Sequence, residues 1–313
     1  MQATPLVSAD NSGQRQAGMM DPKQLGREVV RRAAGVPRLR DTIRRGAQLG
    51  VVPGAVWKRV PVEVDFPVSF PDGASFRYLS SAYDGIGRQL FFKGVTWWEY
   101  ETTALFGRLA VRASLTLDIG ANTGFYTLLA AGANPQGRVI AFEPVPRIFA
   151  RLCDNIELNG WDHRCDARQQ AMSRASGEMT LHVPDQDVPT SASLNPEGYR
   201  GQSGKQIQVM VTTMDEAVPE DQRVDLIKID VEGFEHDALA GGERVLGRDR
   251  PLIVLEVNPG GPAEAIEAIL RPNGYRFHHL LPSGPSEVTS IVPDTEVHHR
   301  NFLCVPEEKK DWL

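Results

Sequence analysis

Long hydrophobic runs are missing from this chain. None of its 313 residues lies in an uninterrupted apolar stretch of the roughly 18 to 20 that a membrane helix needs, and the N-terminus lacks the apolar core of a secretory leader. The expectation is therefore a cytoplasmic protein. Cysteine is scarce as well: Cys153, Cys165 and Cys304 are scattered, odd in number and form no C-x-x-C pair. That speaks against a disulfide framework and a zinc knuckle, and leaves buried free thiols. There is no internal repeat, and the net charge of -6 argues against non-specific nucleic-acid binding by the chain as a whole. With 41% hydrophobic residues, the chain can bury one large core, or one core and a smaller appended element, without staples.

What is present is unevenly distributed. Residues 1–20 are rich in Ser, Gln, Gly and Ala without an apolar period, and read as a flexible tail. Residues 21–60 are basic, with Arg27, Arg31, Arg32, Arg38, Arg44 and Arg45 among ten cations facing only Asp21, Glu28 and Asp41. A solvated helix face is one reading, and peripheral contact with an anionic membrane or other anionic partner is another. Leu25, Val29, Ala33 and Val36, then Leu39, Ile43 and Ala47, predict two short amphipathic helices. Val62 to Phe66 and Phe76 to Leu79, separated by Pro71-Asp-Gly73, predict a hairpin. Residues 21–100 thus form an N-terminal cap, the expected home of substrate recognition.

From about residue 101 to the C-terminus strands alternate with helices, the pattern of βαβ units around a doubly wound, mostly parallel α/β sheet. Strands are expected at 115–118, 138–142, 166–170, 225–230, 252–256, 275–281 and 301–305. An excursion of strands at 179–183 and 207–213 brackets a polar loop from Pro184 to Lys205. In such a sheet the ligand crevice lies beyond the carboxyl ends of the strands, where strand order reverses. Asp118-Ile-Gly120-Ala121-Asn122-Thr-Gly124-Phe125 follows the first strand, and its glycines allow close backbone approach to a ligand. A dinucleotide fingerprint fails here, because Asn122 and Phe125 stand where glycines are required. Asp118 at the mouth would repel a pyrophosphate but attract the ammonium and sulfonium of S-adenosylmethionine. Glu143, before Pro144 and about 20 residues past the loop, is placed to accept both ribose hydroxyls. Gln170 and Ala171, at the end of the third strand, are candidates for the adenine.

These segments, together with Leu226-Ile-Lys-Ile-Asp-Val-Glu-Gly-Phe-Glu235 and Leu255-Glu-Val257, resemble the FkbM family of methyltransferases over about residues 97 to 260. The resemblance implies a class I methyltransferase fold, Rossmann-like, whose seven-stranded sheet ends in an antiparallel strand. It also implies S-adenosylmethionine as methyl donor and a hydroxyl of a sugar, glycoside or polyketide-type natural product as acceptor.

Within that framework Asp230 and Glu232, at the end of the fourth strand, are the preferred catalytic pair. A carboxylate of ordinary pKa is a weak base for an alcohol, so it must act late or be raised by burial and by its neighbour. Lys228 lies on the same strand face as Asp230 and can hold it ionised. His236, four residues past Glu232, is an alternative base if the helix starts early enough. Asp230, Glu232 and His236 are too loosely spaced to commit to a metal. Trp97, Trp98 and Glu101 are expected to wall the acceptor site, and Ser193 sits in a loop with the composition of a lid. Competing readings are a nucleic-acid methyltransferase, disfavoured because Asp230-Val-Glu-Gly replaces the Asn/Asp-Pro-Pro-aromatic grip of such enzymes, and a non-catalytic binding protein. A homodimer is compatible with the sequence.

Overall fold

The computed structural model describes residues 36–82, 84–97, 99–184, 204–294 and 299–312. The tail at 1–20, the first amphipathic helix and most of the expected lid lie outside them. Helix α1 (Pro37–Gln48) starts on a proline, whose missing N–H would be unpaired there in any case. A short α2 (Gly54–Trp57) follows. The hairpin β1 (Asp65–Ser69) and β2 (Ser75–Leu79) sits three residues later in its first strand than the alternation suggested. Phe66, Val68, Phe76 and Tyr78 alternate into the core, and the turn uses Gly73 at φ 100°. Two helices had no clear sequence signal: α3 (Gly85–Lys93), whose first turn is capped by Asp84 accepting the Gly87 N–H at 2.9 Å, and α4 (Tyr100–Ala110).

The main sheet is built from β3 (Leu115–Ile119), β4 (Arg138–Phe142), β5 (Cys165–Arg168), β9 (Leu226–Ile229), β10 (Leu252–Glu256), β11 (Tyr275–Leu281), β12 (Gly284–Val288) and β13 (Asn301–Pro306). Its order is β12-β11-β13-β10-β9-β3-β4-β5. The strands from β5 to β10 run parallel, and β13 inserts antiparallel between β10 and β11. The expected seven strands become eight, because Gly284 at φ 104° turns the chain back and β12 adds a hairpin edge. Strand order reverses between β3 and β9, so the switch point falls beside Ile119 and Ile229. Helices α5 (Phe125–Ala133), α6 (Pro146–Leu158) and α10 (Ala263–Leu270) cover the faces. Between β9 and β10 the chain forms two short helices, α8 (Glu235–Ala240) and α9 (Glu243–Arg248). At Gly241 the chain passes so close to the Ser173 carbonyl that a Cβ would meet it at 2.2 Å. A second, three-stranded sheet of β6 (Ala171–Met172), β7 (Gly177–Pro184) and β8 (Gly204–Thr212) forms the excursion, and α7 (Met214–Ala217) leads back.

The cap does not pack as a separate body. Trp57, Phe66, Tyr78 and Phe91 belong to the same hydrophobic cluster as Leu105, Phe125 and Leu129. Polar stitching reaches the glycine loop. The buried Tyr78 hydroxyl lies 2.9 Å from Asp84 Oδ2 and 2.5 Å from Thr123 Oγ1. The Asn155 amide accepts the Leu79 N–H at 2.7 Å and donates to the Thr123 carbonyl at 2.9 Å. Because Tyr78, Asp84, Thr123 and Asn155 are buried, losing one partner would leave another polar group unsatisfied away from water.

Candidate active site

The glycine loop leaves β3 with the N–H groups of Gly120 and Ala121 both donating to the Phe142 carbonyl, at 3.0 and 2.9 Å. Gly120 has φ 82°, and a Cβ there would lie 2.0 Å from the Asp230 carbonyl oxygen. Only glycine allows the loops after β3 and β9 to come this close. Gly124, at φ 94°, faces Leu152 of α6 in the same way, with a Cβ contact of 2.7 Å.

Behind the loop, Glu143 directly follows β4. Its Oε2 accepts the Asn122 N–H at 3.1 Å and its Oε1 the Val145 N–H at 2.8 Å. Burial pushes its carboxyl up to about 7 against the pull of these two donors. Gly120, Asn122, Glu143, Pro144, Gln170, Ala171, Asp230 and Glu232 line one crevice at the carboxyl ends of the strands. Phe142, Ile148, Met172, Leu181 and Val231 supply its apolar wall.

At the opposite lip stand Asp230 and Glu232. The Asp230 N–H donates to the Ile119 carbonyl at 2.9 Å, and its carboxylate is half-buried, 3.6 Å from Lys228 Nζ. Glu232 adopts left-handed backbone at φ 49°, a conformation held only where surrounding contacts dictate it. Its Oε2 accepts from Asn258 Nδ2 at 3.2 Å, and Asn258 Oδ1 accepts in turn from Arg300 at 2.5 Å. Burial first, then the neighbouring Asp230 and Glu235, raise the Glu232 carboxyl to about 7.

Lys228 is 1% exposed, yet it sits among carboxylates. Burial works against its charge, but Asp230, Glu99, Glu256 and Asp118 outweigh that and raise it above the ordinary lysine value. Its ammonium also lies 5.0 Å from the Tyr126 ring centre, and the Tyr126 hydroxyl donates to Glu99 at 3.1 Å. The Asn301 side chain bonds Glu99 as well. One buried cation thus organises acidic groups from four elements.

Several sequence expectations require correction. Asp118 is not at the mouth of the loop: it is 1% exposed, its Oδ2 takes the Thr127 hydroxyl at 2.6 Å, and burial raises it to about 6. Ala121 and Gly124 shape the turn without lining the crevice, and Phe125 packs against Phe70, Phe76 and Tyr126. Lys228 lies beneath the crevice rather than in its wall. His236 does not share a helix face with Glu232, because α8 begins only at Glu235, and its imidazole pairs with Asp237 at 3.2 Å. Glu101 turns into a separate hollow with Arg108 and Leu280, whereas Glu99, two residues earlier, faces Lys228. Trp98 and Ser193 lie outside the described residues. Glu99, Glu256, Asn258 and Arg300 were not singled out from sequence. Glu256 alone left a signal, an acidic residue closing an otherwise apolar strand. Among the described residues there is no cluster of His, Cys, Asp and Glu that could hold a metal ion.

Comparison with known proteins bears on the family of the chain. Residues 118–277 match the methyltransferase FkbM domain, about half of the chain. Methyltransferase 1 of Beauveria bassiana is 31% identical over 144 residues, 41% of this chain and 58% of that protein. The 31-O-demethyl-FK506 methyltransferase FkbM of Streptomyces tacrolimicus is 30% identical over 217 residues, 59% of this chain and 78% of that one. A solved methyltransferase FkbM from Methylobacillus flagellatus is matched at a TM-score of 0.39 and 15% identity, over 61% of this chain and 43% of that chain. The chain therefore spans under two thirds of the first of these relatives and under half of the solved structure. With its sheet order, glycine loop and matched domain together, the chain belongs to the FkbM methyltransferase family.

Proposed function

We propose that the chain is an S-adenosylmethionine-dependent O-methyltransferase acting on a hydroxyl of a small molecule such as a sugar, glycoside or polyketide-type product. One observation carries the reading: Glu143, the unobstructed backbone at Gly120 and the Asp230/Glu232 pair face a single crevice. The donor set fits the methyl donor. A buried carboxylate suits a ribose diol, the apolar wall around Gln170 and Ala171 suits adenine, and Asp230 suits positive charge. When bound, S-adenosylmethionine supplies an electrophilic methyl on a sulfonium. The residues supply alignment and a proton acceptor. Glu143 and the loop fix the cofactor's position, and the lip carboxylates orient the acceptor hydroxyl. Asp230 is paired with Lys228, so Glu232, held near neutrality and fixed by Asn258, is the group that takes the hydroxyl proton. The Streptomyces tacrolimicus relative, named for transfer at an oxygen, supports the acceptor type.

The test is calorimetric and kinetic. S-adenosylhomocysteine should bind, and a screen of hydroxyl acceptors with radiolabelled methyl donor should give turnover. Glu232→Gln should cut turnover by about a hundredfold, a typical contribution of a positioned base, while retaining product affinity within a few-fold, and Asp230→Asn should lower both turnover and cofactor affinity. Absence of S-adenosylhomocysteine binding overturns the reading.

A further inference from the structure

The segment between α1 and the cap hairpin plays no part in the crevice, yet its surface is unusual. Leu49 is 78% exposed, Val51 73% and Val56 47%, three large aliphatic side chains within eight residues of chain. Isolated exposed aliphatics are common and need no explanation. Here they fall close together in sequence and are flanked by cations: Arg45 at the end of α1, and Lys58 and Arg59 just after α2, are all exposed. No acidic residue occurs between Arg45 and Arg59. The patch also has a firm base, because Ala47 and Trp57 are buried, Lys93 donates to the Ala47 carbonyl at 2.8 Å, and the Arg44 guanidinium lies 4.6 Å from the Phe91 ring centre. The aliphatic tip is therefore presented outward by a turn whose inner side is locked into the core. The charge runs against that of the whole chain, which is -6.

We infer that residues 45–59 form a peripheral docking surface for an anionic lipid bilayer. Leu49, Val51 and Val56 would enter the interfacial layer, while Arg45, Lys58 and Arg59 would lie among the headgroups. The combination selects a bilayer over other polyanions. A nucleic acid would use the cations but gain little from projecting aliphatics, whereas a bilayer uses both. Among the described residues no helix is long and apolar enough to cross a membrane. Neither component is strong alone: three side chains bury little area, and each cation near an anionic surface contributes about fivefold in affinity.

The experiment uses the full chain and extruded vesicles of phosphatidylcholine, with or without about a third phosphatidylglycerol. Co-sedimentation is expected only with the anionic vesicles and should fade as salt is raised through the range where the Debye length falls below about 8 Å. Lys58→Glu with Arg59→Glu should weaken binding by more than about tenfold, since two attractive charges become repulsive. Leu49→Ser with Val51→Ser should weaken it several-fold with no change in melting temperature, because both side chains already face solvent. Four vesicle results overturn the inference: no binding to anionic vesicles, equal binding to both vesicle types, variants that bind like the wild type, or release by millimolar inorganic phosphate, which would indicate a simple anion site. Concentration-dependent dimerisation by sedimentation velocity, abolished by the same variants, would assign the patch to a second copy instead and equally refute it.

Discussion

Replacing Glu143 with glutamine tests the cofactor site at its most exacting point. A carboxylate offers about four acceptor positions. Two are occupied by the N–H groups of Asn122 and Val145, which leaves room for both hydroxyls of a ribose. Glutamine keeps one oxygen and presents an NH2 where a second acceptor is needed, so a charge-assisted bond worth about 1.5–3 kcal/mol is lost. At 1.4 kcal/mol per decade, affinity for S-adenosylhomocysteine should fall about ten- to a hundredfold in isothermal titration at about pH 8. Ionisation supplies a second signature. With Glu143 titrating at about 7, the wild-type affinity should rise roughly tenfold between about pH 6 and about pH 8 as the carboxylate forms, and the glutamine variant should lose that slope. Glu232 titrates in the same range, so the difference between the two proteins isolates Glu143. A variant that binds within about threefold of wild type at the higher pH, or one that keeps the full slope, would show that Glu143 does not hold the ribose.

Three further outcomes follow from individual contacts. Gly120→Ala places a Cβ 2.0 Å from the Asp230 carbonyl on left-handed backbone, so the melting temperature should drop by several degrees and product binding should be lost; an unchanged melting curve refutes the close approach. Tyr78→Phe removes a buried hydroxyl shared by Asp84 and Thr123, and should cost about 1–3 kcal/mol in urea denaturation, with a value near zero refuting the stitched loop. In Glu232→Gln, the rise of turnover with pH near 7 should disappear; a variant that keeps this limb would point to another base.

The sheet was legible because its signals are local. Arg138 to Phe142 and Leu252 to Glu256 each carry their own apolar run and boundaries, and the structure places them as read. So was the crevice lining along β4 and β9, since a strand end fixes where its last residues point. What was hidden depends on tertiary placement. Asp118 read as a mouth residue because it borders the glycine loop, but the pleat directs it to the buried face with Lys228, its partner across β3 and β9. Glu99 and Glu101 differ by one helical start: α4 begins at Tyr100, which leaves Glu99 in left-handed backbone facing Lys228 and carries Glu101 away. Asn258 and Arg300 reach Glu232 from loops distant in sequence, for which no period exists to be read.

Asp118, Glu143 and Glu232 make a last prediction possible, because each is held in the folded protein above its unfolded pKa, at about 6, 7 and 7. A carboxyl whose folded pKa is raised contributes stability that is fully present below its unfolded pKa. That stability is lost as pH rises through the folded value. For the fully buried Glu143, the displacement from 4.5 to about 7 corresponds to an upper figure of about 3 kcal/mol. The ligand-free protein should therefore lose stability between about pH 4 and about pH 7, the range in which these carboxyls lose their protons. The surface carboxyls Glu307 and Glu308, lowered by Lys310 and Arg250, act in the opposite direction, so absolute curves would mix the two effects. The comparison of wild type with Glu143→Gln removes them. In urea titrations across that window, the variant should gain on the wild type as pH rises, by up to a few kcal/mol. A constant difference would mean that Glu143 does not resist ionisation in the folded state. The expected trend would mark a carboxylate that folding alone disfavours and only a ligand can use, which is the behaviour of a group placed for binding.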